Sequence, residues 1–269
     1  MKILFFGDVV GKSGRLAVVK QLLGLKRQYH PDLIIANAEN LAHGKGVTLS
    51  TVQFMFDAGV DFLTSGNHVF DKPGYEEVFR QFADRIIRPA NFASGYPGEG
   101  FKILGVNKQP VLVINLLGQV FMDKQVDQGE IDNPFEKITK LLEQVEAKIK
   151  ICLLDFHAEA TSEKRAMGFW LDGKVSAVIG THTHVPSADA QVLPQGTGYI
   201  TDVGMTGAAL SVIGVDKDSA LKRFLLNDLE AKSPLLVAES ETYEASYVIL
   251  EVDEASGKCQ NINSFYNKV

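Results

Sequence analysis

A chain of 269 residues, 45% hydrophobic and 22% charged, has the composition of a water-soluble globular protein and can bury a sizeable core as one domain. Its net charge of −6 argues against a nucleic-acid coat protein or a polybasic membrane binder. Two cysteines, Cys152 and Cys259, are too few for a disulfide framework.

The chain opens on an apolar run that reads as a buried strand over residues 2–6. That run meets Gly7-Asp8 too soon for a secretory leader, and no apolar stretch approaches the ~18 residues of a membrane span, so the cytoplasm is the expected address. Residues 15–27 carry Leu16, Val19, Leu22 and Leu23, a helical stripe. A second strand over 32–36 follows Pro31, then a helix over 49–58 and a short strand over 61–64. Residues 73–82 read as a helix with Pro73 near its start, where the missing N–H costs nothing. Strands alternating with helices predict parallel pairing. Residues 91–101, with Asn91, Gly95, Pro97, Gly98 and Gly100, read as a loop. A strand over 111–116 precedes an amphipathic helix over 133–149, opened by Asn133 and striped by Ile138, Leu141, Leu142 and Val145. Strands follow over 151–156 and 175–179, then 191–193, 198–201 and 245–252, the last pairing with 258–265 across the turn at 253–257. No linker or repeat interrupts the pattern. The expectation is one α/β domain over 1–269, two packed sheets with helices outside.

Five apolar strand runs end in residues able to bind metal. They deliver Asp8, then Glu39 with Asn40, then Asn67 with His68, then His157, and finally His182 with His184. The carboxyl ends of parallel strands converge on one sheet edge, so segments far apart in sequence can meet there. Asp8 and Glu39 offer anionic oxygen, Asn40 and Asn67 carbonyl oxygen, and the three histidines neutral imidazole. This mixed set suits Mn, Fe, Zn or Co better than Ca or a thiolate-bound structural Zn. Two such metals need a shared ligand to hold them roughly 3.5–4 Å apart, which a carboxylate provides. An extended 182–184 segment would put both histidines on one face. Singly, each residue has a plainer reading: Asp8 as a helix cap, Asn67 as a turn residue, the histidine pair as chance. The five together point to a metal centre.

These segments resemble the calcineurin-type metallophosphoesterases, whose blocks run Gly-Asp-x-His, Gly-Asp-x-x-Asp/Glu, Gly-Asn-His-Asp/Glu, His and Gly-His-x-His. Two positions depart: Val10 stands where the common pattern has a histidine ligand, and Glu39 where the bridging aspartate is usual. Both departures are similar to the YmdB-like phosphodiesterase branch, whose GDVVG, AEN, SGNH, DFHAE, GTHTHV and DVGMTG segments stand here at 7–11, 38–40, 65–68, 155–159, 180–185 and 202–207. The resemblance implies a four-layer αββα sandwich of two mixed β-sheets flanked by helices. It implies two divalent ions, iron or manganese, one held by Asp8, Glu39, Asn40 and His184 and the other by Glu39, Asn67, His157 and His182, with Glu39 bridging. It implies hydrolysis of 2′,3′-cyclic nucleotides, small phosphodiester substrates, and a homo-oligomer.

In such a site water activated between the cations attacks phosphorus, and the leaving oxygen needs a proton. His68 is the expected general acid, since imidazole titrates near neutrality; the alternative is that it only hydrogen-bonds a carboxylate such as Asp71. His43 and Thr206 are expected near substrate, His43 in a loop after the proposed ligands and Thr206 in a Gly-containing turn at 205–207. Lys45 could meet phosphate, Glu159 could orient His157, His30 should be exposed, and Trp170 should pack. Three readings compete. A phosphate-binding P-loop at 7–13 fails because three residues, not four, separate its glycines. A phosphomonoesterase or oligonucleotide hydrolase would keep the metals and change the substrate. A regulatory protein would bind nucleotide without turnover.

Overall fold

The computed structural model describes residues 1–92, 95–122, 131–146, 148–225 and 235–269. In chain order the elements are β1 (Lys2–Val9), α1 (Gly11–Tyr29), β2 (Leu33–Asn37), α2 (Leu49–Ala58), β3 (Phe62–Thr64), α3 (Tyr75–Gln81), β4 (Phe101–Val106), β5 (Gln109–Leu117) and α4 (Pro134–Glu143). They continue with β6 (Ile151–His157), α5 (Thr161–Trp170), β7 (Ala177–Thr181), β8 (Gln191–Val192), β9 (Gly198–Ile200), β10 (Met205–Ala208), α6 (Lys217–Leu225), β11 (Tyr243–Val252) and β12 (Cys259–Lys268).

Among the described residues the strands form two six-stranded sheets, ordered β12-β11-β10-β1-β2-β3 and β4-β5-β6-β7-β9-β8. Both are mixed. The β1-β2-β3 and β5-β6-β7-β9 runs are parallel, while β11, β12, β4 and β8 pair antiparallel. Alternation along each strand sends apolar side chains to both faces. From β1, Ile3 and Phe5 join a core shared with Val113, Leu153 and Ile179 of the other sheet. Leu4 and Phe6 point the opposite way, onto Val18 and Leu22 of α1 and Val52 and Met55 of α2. From the second sheet, Leu112, Ile114, Leu154 and Phe156 pack outward against Ile138 of α4 and Met167 of α5. Three apolar layers between four structural ones make the αββα sandwich that the resemblance implied.

Helix α2 starts and stops where the sequence places it. Thr48 and Thr51 form a reciprocal capping box, and Gly59 closes the helix with a left-handed φ of 99°. Elsewhere the boundaries move. Pro73 lies outside α3, which begins after Gly74 in the left-handed region. Asn133 caps α4 by accepting from the N–H groups of Phe135 and Glu136, but the helix ends at Glu143, six residues short of the expected 149; residue 147 of that expected helix, like 93–94 of the expected loop, is outside the described residues. Residue 101 begins β4, an edge strand the sequence hid behind a Gly- and Pro-rich approach. Helix α5 lacks a side-chain cap, and β10 is only four residues long, so neither announces itself. His30 is exposed as the left-handed cap of α1. Trp170 is 47% exposed instead of packed, and its indole Nε1 donates to the Thr139 hydroxyl at 3.3 Å. Among the described residues no helix is long and apolar enough to cross a membrane.

Candidate metal centre

The parallel strands of both sheets end on the same side of the sandwich. In the first sheet Asp8 lies opposite Asn37 across a bulge in β1, and Asn37 opposite Thr64. Glu39 and Asn40 follow β2 directly, and Asn67 and His68 follow β3. In the second sheet His157 ends β6 opposite Thr181, which ends β7 just before His182. The seven expected ligand residues therefore meet, four from one sheet and three from the other.

Four lone-pair atoms crowd one point. Around His157 Nε2 lie Glu39 Oε2 at 3.0 Å, Asn67 Oδ1 at 3.1 Å and His182 Nδ1 at 3.0 Å. A single ring proton cannot serve three acceptors, and such convergence is what a cation satisfies. A second set, Asp8, Glu39 and His184, also brings its ligand atoms within 4.8 Å of one another. Beside it the buried Oδ1 atoms of Asp8 and Asn40 have no hydrogen-bond partner among the described residues. The Asn40 amide nitrogen donates to the Gly44 carbonyl at 2.9 Å, which fixes the side chain and frees its oxygen. Glu39 belongs to both sets.

Gly66 leaves the junction its room. A Cβ there would lie 2.2 Å from Glu39 Oε2 and 2.4 Å from His157 Nε2. Each imidazole is aimed by what its other nitrogen meets. The Thr181 hydroxyl donates to Asp155 Oδ1 at 2.6 Å, so it accepts from His157 Nδ1 at 2.9 Å and leaves Nε2 for a ligand. His184 Nδ1 donates to the Ile213 carbonyl at 2.8 Å, which frees Nε2. His182 Nε2 lies 3.0 Å from Glu159 Oε2. Glu159 thus supports His182, not His157 as expected, because β6 ends at His157 and carries Glu159 past it toward β7.

The electrostatics agree. Burial alone would lower the His157 imidazolium, but Glu39, then Asp8 and Asp155, lift it to about 9. Burial alone would raise Glu39, but the charge and hydrogen bond of His157, with His68 and His182 beyond, hold it well below the carboxylate range. Asp8 is raised, by burial first and then by Glu39 and Asp202 against the two nearby histidines. Burial also raises Asp155 to about 6 and, with His157, lowers His182 to about 2. The carboxylates draw positive charge onto this point.

The 182–184 segment is not extended. His182 and His184 have φ of 100° and 66°, conformations that cost about 1–3 kcal/mol each for a residue with a side chain. The double reversal sends one imidazole to each ligand set, where an extended strand would have put both on one face.

A cavity of about 500 Å3 opens on the centre. Glu39, Asn40, His182 and His184 line its floor, and His43, Lys45 and His68 its polar rim. The rest of the lining is mainly apolar: Val10, Ile213, Val215, Leu235, Leu236 and Val237. His68 donates its backbone N–H to Glu39 Oε2 at 3.3 Å, and its Nδ1 lies 2.9 Å from Asp71 Oδ2. Thr206 is misplaced by the sequence reading. Residues 205–207 form strand β10 instead of a turn, and the Thr206 hydroxyl is fully buried, donating to the Ser246 carbonyl at 3.3 Å. The apolar wall was missed because aliphatic residues scattered over 213–237 carry no motif. Asp155 and Thr181 were missed as orienting residues, although both sit in segments already singled out.

Comparison with known proteins shows the family and the fold. A family profile described as YmdB-like protein matches residues 4–265. A 2′,3′-cyclic-nucleotide 2′-phosphodiesterase of Bacillus subtilis (strain 168) is 42% identical over 264 residues, covering 97% of this chain and 95% of the relative. The crystal structure of a novel phosphatase from Mycoplasma pneumoniae superposes with a TM-score of 0.91 at 35% identity, covering 100% of this chain and 93% of the other. A 5′-nucleotidase from Candida albicans SC5314 shares the fold alone, with a TM-score of 0.58 at 13% identity over 98% of this chain and 50% of its own. By sequence match, sandwich topology and the residues gathered at its sheet edge, the chain belongs to the YmdB-like protein family.

Proposed function

We propose that this chain is a dinuclear-metal phosphodiesterase that hydrolyses small nucleotide phosphodiesters, 2′,3′-cyclic nucleotides in particular. The observation that carries the reading is the convergence of Glu39, Asn67, His157 and His182 on one point, beside a second set that shares Glu39. Glu39, Asn67, His157 and His182 would hold one ion, and Asp8, Glu39, Asn40 and His184 the other. The donors are nitrogen and oxygen, which fits iron or manganese. The cysteines contribute nothing, since both are buried elsewhere, with thiols pushed up to about 12 for Cys152 and about 11 for Cys259.

When bound, such a pair acidifies water and neutralises charge on phosphoryl oxygens. The protein's own share is positional. Asp155 through Thr181, Glu159, and the Ile213 carbonyl fix three imidazoles. Asp71 holds His68 Nδ1, which leaves the ring's other nitrogen to pass a proton to the departing ribose oxygen as the P–O bond breaks. His43 and Lys45 line the cavity and would meet phosphate or sugar there. The apolar wall suits the flat face of a nucleoside, and the name of the Bacillus relative supports a cyclic nucleotide as substrate.

The test couples metal analysis of purified protein to hydrolysis of 2′,3′-cyclic AMP and AMP, with and without chelator. The expected result is two equivalents of metal and chelator-sensitive turnover of the cyclic diester over the monoester. Preference for AMP would make it a phosphomonoesterase; tight binding without product over hours would make it a regulator. The same reading includes a cytoplasmic address, which cell fractionation tests, and a homo-oligomer, which light scattering on the purified protein tests.

A further inference from the structure

Behind the two cavity-facing histidines lies a buried ion pair that the chemistry above does not use. Lys164 of α5 and Asp202 are each 1% exposed, with Lys164 Nζ 2.7 Å from Asp202 Oδ2. Removing two charges from water is costly, and apolar residues of similar size would fill such a place at least as well. An ion pair kept there therefore calls for a role beyond filling space.

Its other partners identify the role. Asp202 Oδ2 also accepts from the Thr183 N–H at 3.0 Å and the Thr183 hydroxyl at 2.7 Å. Its Oδ1 accepts from the Gly204 N–H at 2.8 Å, and its own N–H donates to the Ser187 hydroxyl at 2.9 Å. Both carboxylate oxygens are engaged, and the aspartate is anchored to the sheet edge on one side and α5 on the other. Thr183 is the residue between His182 and His184, both at positive φ. An anchored Thr183 stops this segment from relaxing into an extended strand that would turn both imidazoles the same way.

We infer that Lys164 and Asp202 are positioning residues: through Thr183 they hold His182 and His184 in the reversed conformation that gives each proposed metal site one imidazole. The inference rests on the metal-centre reading and adds the device that divides the histidine pair.

The test is calorimetric titration of chelator-stripped protein with Mn2+, run with thermal unfolding of the same metal-free samples. Four proteins are compared with the parent: Asp202→Asn, Thr183→Val, the paired Lys164→Met/Asp202→Asn, which leaves no lone buried charge, and His182→Ala as a check on the metal centre. The positioning role predicts that Asp202→Asn and the paired variant bind Mn2+ at least tenfold more weakly while the metal-free protein stays folded, and that Thr183→Val falls between them and the parent. Should the paired variant not fold, Asp202→Asn and Thr183→Val decide. If both bind Mn2+ like the parent while His182→Ala loses an ion, the pair is only structural and the inference is wrong. If His182→Ala also binds like the parent, the metal-centre reading fails and takes the inference with it.

Discussion

Adding one methyl group at Gly66 should disable the centre without replacing any ligand. A Cβ at this position would sit 2.2 Å from Glu39 Oε2 and 2.4 Å from His157 Nε2, against an ordinary contact of about 3.4 Å or more, so each must withdraw by about 1 Å. Neither is free to do so. Glu39 and His157 are buried, and the ring of His157 is pinned through Thr181 to Asp155. Metal sites tolerate ligand errors of only about 0.2 Å, and a 1 Å misplacement of a reacting group costs about 10²-fold. Overpacking itself should destabilise the fold by about 1–3 kcal/mol, less than a domain of this size can lose and remain folded. The expectation for Gly66→Ala is a folded protein whose kcat/KM on 2′,3′-cyclic AMP drops by about 10²-fold or more, with metal lost on dialysis. Gly24→Ala is the matched control: the position lies in α1, a Cβ there meets nothing within 4 Å, and the change should stabilise by about 0.5–1 kcal/mol. A Gly66→Ala protein that keeps two equivalents of metal and near-parental turnover would refute the packing argument.

Three further outcomes follow from the site. His68→Ala should keep its metal, measured by elemental analysis, and lose about 10²-fold in turnover, the usual scale for a missing general acid; loss of metal would make His68 a ligand. Glu159→Gln removes the charged partner 3.0 Å from His182 Nε2 and should weaken Mn2+ binding by about 10- to 100-fold, read by titration. The apolar wall should tolerate every base, because it offers aliphatic side chains and several backbone groups around it are engaged: the Gly214 carbonyl accepts from Ala238, the Leu236 carbonyl from Asp216, and Val212 and Val215 bond each other. The four 2′,3′-cyclic nucleotides should then differ by about tenfold or less in kcat/KM, roughly the worth of one hydrogen bond; a hundredfold preference for one base would contradict this.

The metal-capable residues were legible because each ends an apolar strand, and the topology of parallel strands brings such ends together whatever lies between them. Strands buried on both faces stand out by their apolar runs, 3–6 within β1 and 151–154 within β6. The conformation of 182–184 was not legible. A His-x-His after a strand looks like more strand, whereas the groups bonded to it, Asp202 at Thr183 and Asp8 at the His182 N–H, are reached only through the fold. Thr206 failed for a related reason: Gly207 suggested a turn at 205–207, yet β10 slots between β1 and β11 and turns the threonine inward. Glu159 was assigned to the wrong histidine because sequence proximity favoured His157, whereas the strand end faces His182.

Because the first sheet supplies Asp8, Glu39, Asn40 and Asn67 and the second supplies His157, His182 and His184, neither half of the molecule owns the centre. Strand β1, which carries Asp8, is itself completed late, by β10 and β11 beyond residue 204. A growing polypeptide leaving the ribosome therefore lacks the pocket until nearly all of it has emerged and the two layers have docked. Occupancy by metal would report that assembly is finished, and a truncated or misdocked product would betray itself by failing to retain its ions.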